Sequence, residues 1–190
     1  MMSEIKTVPE IRFAGFTDAW VQRKLGEVTT KIGSGKTPKG GNAVYLRDGI
    51  PLLRSQNIVN DIVDLTDVVY ISDAMDKDMA NSRVRKDDVL LNITGASIGR
   101  SAVYKHIISA NVNQHVCIIR TKQRINPYYV QFNLTSSNGQ QQVDNNQAGG
   151  GREGLNFQQI AKIAFYFPDI LEQTAISNFF CTLDNAIALL

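Results

Sequence analysis

Apolar residues recur along the chain in short runs that glycine, proline or polar residues interrupt, a pattern typical of β-strands. The densest run is 89–93, and a glycine-containing turn separates it from a second run at 102–104. The alternating acidic stretch at 60–71 is typical of a strand or hairpin. The pattern predicts further strands at residues 28–32, 50–54, 116–120 and 163–167.

Start and stop signals predict short helices between these strands. Ser72 is suited to cap a helix, and Asn126 followed by Pro127 is typical of a helix start. The predicted helices span residues 20–27 (a short helix or turn), 73–81, 127–136, 139–143 and 155–162. We therefore expect an α+β fold, in which a mixed, mostly antiparallel curved sheet has short flanking helices and is followed by a C-terminal coiled-coil-type helix.

The last stretch predicts one helix with an apolar seam. Asp169 and Glu172 have the spacing of a capping box, which places the start of the helix at Asp169. The seam consists of residues spaced 4-3-4-3, the period of a coiled coil: Ile176, Phe180, Leu183, Ile187 and Leu190. We expect the seam to pack on its own domain, to pair with a second copy, or to pair with a helix of another chain. The predicted division is a domain at 1–168 and a helix at 169–190.

Composition bounds the class of protein. The chain has 190 residues, of which 43% are hydrophobic and 20% are charged, enough for one domain with a sizeable core. No apolar run approaches the ~18 residues of a membrane span, and the N-terminus has no hydrophobic signal segment. Cys117 and Cys181 are far apart, and His106 and His115 form no ligand-like cluster. We expect a cytoplasmic protein that binds neither a metal nor a membrane.

The net charge of +2 conceals an alternation of basic and acidic stretches. Residues 20–56 contain seven basic and two acidic side chains, and residues 83–143 contain eight and two. Between them, residues 57–82 contain one basic and six acidic side chains. Two basic stretches folded onto one face would suit a polyanion such as DNA, and a mixed, solvated surface is the equal alternative.

Polar side chains that can hydrogen-bond to base edges follow two of the predicted strands. Arg, Gln and Asn side chains form paired hydrogen bonds with guanine or adenine in the major groove of DNA. The candidate DNA contacts are polar residues at predicted loop tips: Arg54, Gln56, Asn57, Thr94, Ser97, Arg100 and Arg152, with Lys36 and Lys39 placed for backbone phosphates. The alternatives are a polar turn after a strand and a plain surface loop.

Two segments come close to known signatures without matching them. The glycine-rich loop at 33–42 lacks a phosphate-loop glycine, because Thr30 occupies that position, and Pro38 interrupts the helix that should follow. Residues 126–129 are Asn-Pro-Tyr-Tyr, which lacks the second proline of the Asn-Pro-Pro-Tyr box of DNA adenine methyltransferases. No glycine-rich cofactor loop follows a strand elsewhere, so a helix start is the preferred interpretation of 126–129.

Several landmarks match one family in their order and spacing. They are residues 9–16 with Trp20 and 24–27; 49–54 with Asn57 and Ile58; 88–91 with Gly95, Ile98 and Gly99; 113–115; and Phe167 and Pro168 with Glu172, Gln173, Ile176, Phe179, Phe180, Leu183, Asp184 and Ile187. On these residues the chain resembles the specificity subunit of Type I restriction-modification systems.

The resemblance implies one target recognition domain at 1–168, followed at 169–190 by the start of a conserved spacer helix. Full subunits of this family carry two such domains. Their long helices pair antiparallel between two DNA half-sites and dock methyltransferase subunits, which bind S-adenosylmethionine. The implied partners are therefore double-stranded DNA and the methyltransferase and restriction subunits, with no cofactor on this chain. The resemblance also implies a half-subunit or a fragment of a longer subunit.

The leading hypothesis is a non-catalytic component that recognises one half-site of a bipartite target and directs the methyltransferase and restriction subunits. One alternative is a small methyltransferase or nuclease, against which the missing cofactor loop and the absence of an Asp…Glu-x-Lys arrangement count. The other alternative is a protein-docking adaptor that makes no contact with DNA.

Overall fold

The computed structural model describes residues 6–147 and 154–187. Within these residues the strands are β1 (Lys6–Thr7), β2 (Trp20–Lys24), β3 (Thr29–Ser34), β4 (Ile50–Leu53), β5 (Ile58–Val59), β6 (Ile62–Val63), β7 (Val69–Ile71), β8 (Arg83–Val84), β9 (Val89–Asn92), β10 (Ser101–Val103), β11 (Ala110–Val112), β12 (Val116–Thr121) and β13 (Ala164–Phe167). The α-helices are α1 (Leu25–Val28), α2 (Asp73–Asp78), α3 (Pro127–Thr135), α4 (Ser137–Gln147), α5 (Phe157–Lys162) and α6 (Ile170–Ile187).

The strands of the described residues form three sheets and a hairpin. The central sheet is antiparallel in the order β10-β9-β12-β3, with Ile118 of β12 opposite Leu90 on one side and Gly33 on the other. The mixed sheet has the order β7-β4-β11-β8, and its β4 and β11 are parallel. The third sheet, β1-β2-β13, is antiparallel, and β5 pairs with β6. The expected α+β class is confirmed, although the sheet is divided into several parts.

The apolar runs of β9 and β12 are continuous because both faces of the central sheet are buried. Leu91 and Cys117 point to a cluster completed by side chains of α1, α3, α4 and α5. Leu90 and Ile118 alternate with them and point to a cluster completed by strands of the mixed sheet. A strand covered on both faces takes apolar residues at nearly every position, which is why the run at 89–93 was the densest strand signal.

The segment 20–27 differs from its predicted helix or turn. Trp20–Lys24 is the strand β2, and the short helix α1 begins only at Leu25. Val21 of β2 lies opposite Phe167 of β13, and the Leu25 amide donates to the Ile163 carbonyl at 2.8 Å. Pairing with a strand more than 140 residues away therefore overrides the local signal.

The predicted helix caps are confirmed. The Asn126 side chain accepts a hydrogen bond from the Tyr128 amide at 2.9 Å, and the Ser72 hydroxyl accepts one from the Met75 amide at 3.3 Å. Asp169 Oδ1 accepts from the amides of Leu171 and Glu172 at the start of α6. These side chains satisfy amides that the first turn of a helix leaves without partners.

Glu172, the second residue of the predicted capping box at α6, makes a long-range contact instead. The Glu172 carboxylate accepts two hydrogen bonds from Arg12, both at 2.7 Å, and one from Trp20 Nε1 at 3.1 Å. Glu172 is buried, and nothing in its local sequence distinguishes it from a capping glutamate. The contact fastens the N-terminal segment and β2 to the first turn of α6.

A buried polar network joins α2 to the mixed sheet. The Asp76 carboxylate accepts hydrogen bonds from the Arg83 guanidinium and from the Asn111 amide, and Asn111 Oδ1 accepts one from the Ser82 hydroxyl at 2.8 Å. The hydrogen bond from Arg83 is the largest of the causes that hold the pKa of Asp76 below the 3.8 of an unperturbed aspartate. The charged form of Asp76 thus stabilises the folded chain.

We expect the variant Asp76→Asn to be less stable than the wild type at neutral pH, with a difference that narrows as the pH falls below about 4. The pKa of Asp76 is lower in the folded than in the unfolded chain, so its contribution is present above the unfolded value and is lost as the pH falls through the folded one. Urea unfolding at several pH values measures this. Asp73→Asn, which removes an exposed carboxylate from the same helix, is the control for charge alone. A difference that stays constant with pH contradicts the prediction.

None of the helices in the described residues combines the length and hydropathy that a membrane span requires.

Candidate nucleic-acid interface

Two loops that follow separate strands meet at one open cleft of about 580 Å³, which we call the polar cleft. Asn92, the fully buried last residue of β9, holds the loops together. Its Nδ2 donates to the carbonyl oxygen of Ser55 at 2.9 Å and to Oγ of Ser97 at 3.1 Å. The residues that line it are mainly of polar types: Arg54, Ser55, Gln56, Thr94, Gly95, Ala96, Ser97, Arg100, Asn113 and His115. Five of the nine predicted DNA contacts line this cleft.

Asp67 contacts Arg54 and Gln56, the two predicted side chains of the loop after β4 that line the cleft. Arg54 Nη2 donates to the Asp67 carbonyl at 3.1 Å and lies 3.9 Å from its carboxylate, and the Arg54 guanidinium lies over the Tyr45 ring at 5.9 Å. Gln56 Nε2 donates to the Asp67 carboxylate. Arg54 and Gln56 are therefore oriented by this aspartate of the acidic stretch.

Asn57 does not face the polar cleft, which corrects its predicted role as a base contact. Its side chain is buried, and the residue is only 1% exposed. Its Oδ1 accepts a hydrogen bond from the Arg54 amide at 2.9 Å, and its Nδ2 donates to the Asp64 carbonyl at 3.0 Å. The side chain closes the loop that positions Arg54 and Gln56.

The loop after β9 presents a free cation. Gly95 and Gly99 have φ values of +74° and +87°, a conformation that glycine adopts without strain. Arg100 is exposed at the end of this turn and makes no side-chain hydrogen bond or ion pair with any residue that the structure describes. Its guanidinium is available to a ligand in the cleft.

A chain of polar contacts borders the cleft at residues that sequence reasoning missed. His115 Nδ1 lies 2.5 Å from Thr94 Oγ1, and His115 Nε2 lies 3.0 Å from Gln114 Nε2. The Gln114 side-chain oxygen accepts a hydrogen bond from Thr37 in the glycine-rich loop. His115 and Gln114 belong to one of the landmarks of the family resemblance, and that was the signal that could have found them.

The predicted phosphate contacts lie outside the lining of the cleft. Lys36 forms an exposed ion pair with Asp78 at 2.6 Å, and its hydrogen bond is the main cause that lowers the pKa of Asp78. Lys39 is exposed in the same loop. Arg152 lies outside the described residues, and Gly154 nearby in sequence pairs with Thr94 at the rim of the cleft. Lys36 and Lys39 thus lie in the loop that Thr37 links to the border of the cleft, and neither of them lines the cleft.

The basic and acidic stretches are interleaved and do not form one uniform basic face. Three aspartates of the acidic stretch each pair with a cation of a basic stretch: Asp67 with Arg54, Asp76 with Arg83, and Asp78 with Lys36. The mixed surface is therefore the better description of these stretches. Among the described residues that line the polar cleft, the positive charge without an ion-pair partner belongs to Arg100.

The predicted seam of α6 packs on its own domain only in its first half. Ile176 packs against the cluster that contains Leu91, and the Phe180 ring lies 5.3 Å from that of Phe132. Farther along, Leu183 and Ile187 are 41% and 67% exposed. Leu190 lies outside the described residues. The second half of the seam is thus open to solvent in this chain.

The chain is similar to proteins of known class. The profile of the Type I restriction modification DNA specificity domain matches residues 17–190. The Type I restriction enzyme EcoBI specificity subunit of Escherichia coli is 31% identical over 132 residues, 69% of this chain and 28% of that protein. The StySPI specificity subunit of Salmonella potsdam is 25% identical over 166 residues, 85% of this chain and 35% of that protein.

The fold is similar to that of a solved HsdS subunit. The HsdS subunit from Thermoanaerobacter tengcongensis superimposes with a TM-score of 0.64 at 15% identity, over 97% of this chain and 41% of that one. The chain thus spans less than half the length of each of these three relatives. Because the family profile covers nearly the whole chain, the chain belongs to the Type I restriction modification DNA specificity domain family.

Proposed function

We propose that the chain recognises one half-site of a bipartite DNA target through the polar cleft. The observation that carries this proposal is the convergence of Arg54, Gln56, Thr94, Ser97 and Arg100 from two loops onto one open concavity. Side chains of these types hydrogen-bond to base edges in the major groove. The likeness to specificity subunits supports the same conclusion.

In this proposal the polar cleft contacts the bases, and the adjoining glycine-rich loop contacts the DNA backbone. Arg100 contacts a base edge, because its donors are free and the guanidinium fork matches O6 and N7 of guanine. Lys36 and Lys39 contact backbone phosphates, which position the protein without reading sequence. Lys36 then exchanges its exposed partner Asp78 for a phosphate, at small cost because exposed ion pairs are weak.

We further propose that the chain is a non-catalytic half-subunit or fragment that directs methyltransferase and restriction subunits. Its relatives are named as specificity subunits of Type I restriction enzymes, and the chain spans only part of their length. S-adenosylmethionine then binds to the methyltransferase subunit and not to this chain. Methyl transfer by the purified chain alone would favour an enzyme instead.

The test is methylation mapping of DNA from cells that contain this chain with its methyltransferase partner. Exchanging residues 1–168 for the corresponding domain of a relative is expected to change one half of the methylated sequence and to leave the other half intact. An unchanged motif contradicts the proposal and favours an adaptor that makes no DNA contact.

We also propose that the open half of the seam pairs with a second copy or with the helix of another half-subunit. Leu183→Lys is expected to weaken this association about tenfold or more, because it replaces a buriable leucine with a charge. Sedimentation over a range of concentrations measures the effect. Asn178→Lys adds the same charge at an exposed position outside the seam and should leave association unchanged. A wild-type chain that remains monomeric at all concentrations contradicts self-association.

A further inference from the structure

A hydrogen bond to Asp67 determines which of the two orientations the amide of Gln56 favours in the polar cleft. Its Nε2 donates to the carboxylate of Asp67, and a carboxylate at neutral pH can only accept. A reversed amide would place Oε1 against that carboxylate, so that two acceptors would face each other. Oε1 has no hydrogen-bond partner among the described residues, and Gln56 is an exposed part of the cleft lining. Gln56 Oε1 is thus available as a hydrogen-bond acceptor for a ligand in the cleft.

Asp67 is itself held in place through its backbone. Its carbonyl oxygen accepts hydrogen bonds from Arg54 Nη2 at 3.1 Å and from Nδ2 of the buried Asn57 at 3.4 Å. Its side chain, by contrast, is 84% exposed. The aspartate therefore has a fixed main chain and a side chain whose described contacts are Gln56 and Arg54. This arrangement orients two side chains of the cleft lining, Arg54 and Gln56, and contributes little to the packing of the core.

We propose that Asp67 determines specificity by holding Gln56 as an acceptor, so that this position selects a base with an exocyclic amino group. In the major groove, adenine N6 and cytosine N4 are donors, whereas guanine O6 and thymine O4 are acceptors. Adenine is the best match, because the second hydrogen of Nε2 remains available for adenine N7 beside the amino group. Asp67 is a positioning residue in this scheme, and the inference rests on the proposed function of the cleft.

The decisive variant is Asp67→Asn in the complex of the full chain with its methyltransferase partner. An asparagine can donate as well as accept, so the Gln56 amide becomes free to rotate. The preference for amino-bearing bases over guanine and thymine is expected to fall about tenfold at one position of the half-site, with the other positions unchanged. Binding to a duplex library with a randomised half-site measures the preference at every position.

A second substitution is expected to restore the preference. In the double variant Asp67→Asn with Gln56→Glu, the side chain at position 56 has only acceptors, and the new asparagine donates to it. The preference for an exocyclic amino group is expected to return, with cytosine favoured over adenine because a carboxylate has no donor for adenine N7. Asp64→Asn is the matched control: it removes a charge three residues away, from a carboxylate that accepts from the Thr66 amide at 2.9 Å and not from Gln56. We expect this control to retain the wild-type preference.

The outcomes separate this inference from the proposed function. If the wild-type preference depends on Arg100 and Asp67→Asn leaves it intact at all positions, the inference alone fails. If neither Arg100 nor Asp67 affects the preference, the proposed function of the cleft fails with it. A uniform loss of binding that the double variant does not restore shows that Asp67 serves only the fold, and this result also overturns the inference.

Discussion

Replacing Arg100 with alanine is expected to weaken binding of the cognate half-site about 10- to 100-fold and to relax the preference at one base pair. The guanidinium is exposed in the polar cleft and makes no side-chain hydrogen bond or ion pair with a described residue, so a base edge does not have to displace an internal partner. A well-placed bidentate contact of arginine to guanine accounts for an effect of this size. Competition binding of the complex to cognate duplexes and to duplexes substituted at single positions measures both changes.

Arg85→Ala is the matched control, because it removes the same charge from the same part of the chain. Arg85 is exposed before β9, whereas Arg100 follows the loop at the other end of that strand. The control is expected to reduce affinity little and equally for all duplexes, since charge alone carries no sequence information. If Arg100→Ala and Arg85→Ala have the same small effect on every duplex, Arg100 does not contact a base and the polar cleft is not the recognition surface.

The strands that build the polar cleft are predictable from the sequence, and so are its two loops. The run at 89–93 is apolar at every position except Asn92 because the central sheet is buried on both faces. Polar residues at the ends of strands mark loop tips, which is why Arg54 and Arg100 were both expected to be near a ligand. The local pattern of apolar and polar residues does not indicate how far apart two loops lie in the folded chain.

Asn92 explains why that distance could not be predicted. It falls inside an apolar run, and its decisive hydrogen bond reaches Ser55, 37 residues away in sequence. Asn57 shows the opposite. An asparagine side chain is suited to contact a base, yet here it forms hydrogen bonds within its own loop. Which amide faces a ligand and which supports a loop depends on partners that only the folded chain brings together.

Glu172 shows the same limit for charge. Its spacing from Asp169 satisfies a capping rule, and a cap is the local optimum for an exposed helix start. In the folded chain the carboxylate instead accepts hydrogen bonds from Arg12 and Trp20, and Glu172 is buried. The count of charges along the chain likewise left a basic face and a mixed surface as equal alternatives, and contacts such as that of Arg83 with Asp76, which only the folded chain forms, favour the mixed surface.

A close approach of two main chains supports the rim of the polar cleft at Gly35. This residue follows β3, and its amide donates to the Asn113 carbonyl at 3.1 Å. A Cβ atom at Gly35 would lie 1.7 Å from the Val112 carbonyl oxygen and 2.9 Å from Ser82 Cβ. No side-chain rotation relieves a collision with a carbonyl oxygen, so the glycine-rich loop can rest on the segment before His115 only if residue 35 lacks a side chain.

Gly35→Ala is therefore expected to lower the free energy of unfolding by about 3 kcal/mol, because the main chain must move apart to admit the methyl group. Gly33→Ala, two residues earlier in β3, is the matched control: its Cβ would meet only Lys31 Cε, at 3.8 Å. This control is expected to leave stability unchanged or to raise it by up to about 1 kcal/mol, since glycine is unfavourable within a strand. Urea unfolding followed by the fluorescence of Trp20, the single tryptophan, measures both variants. Equal midpoints for Gly35→Ala and Gly33→Ala would mean that the glycine-rich loop does not need its contact with Val112, and that Lys36 and Lys39 are free to move independently of the cleft.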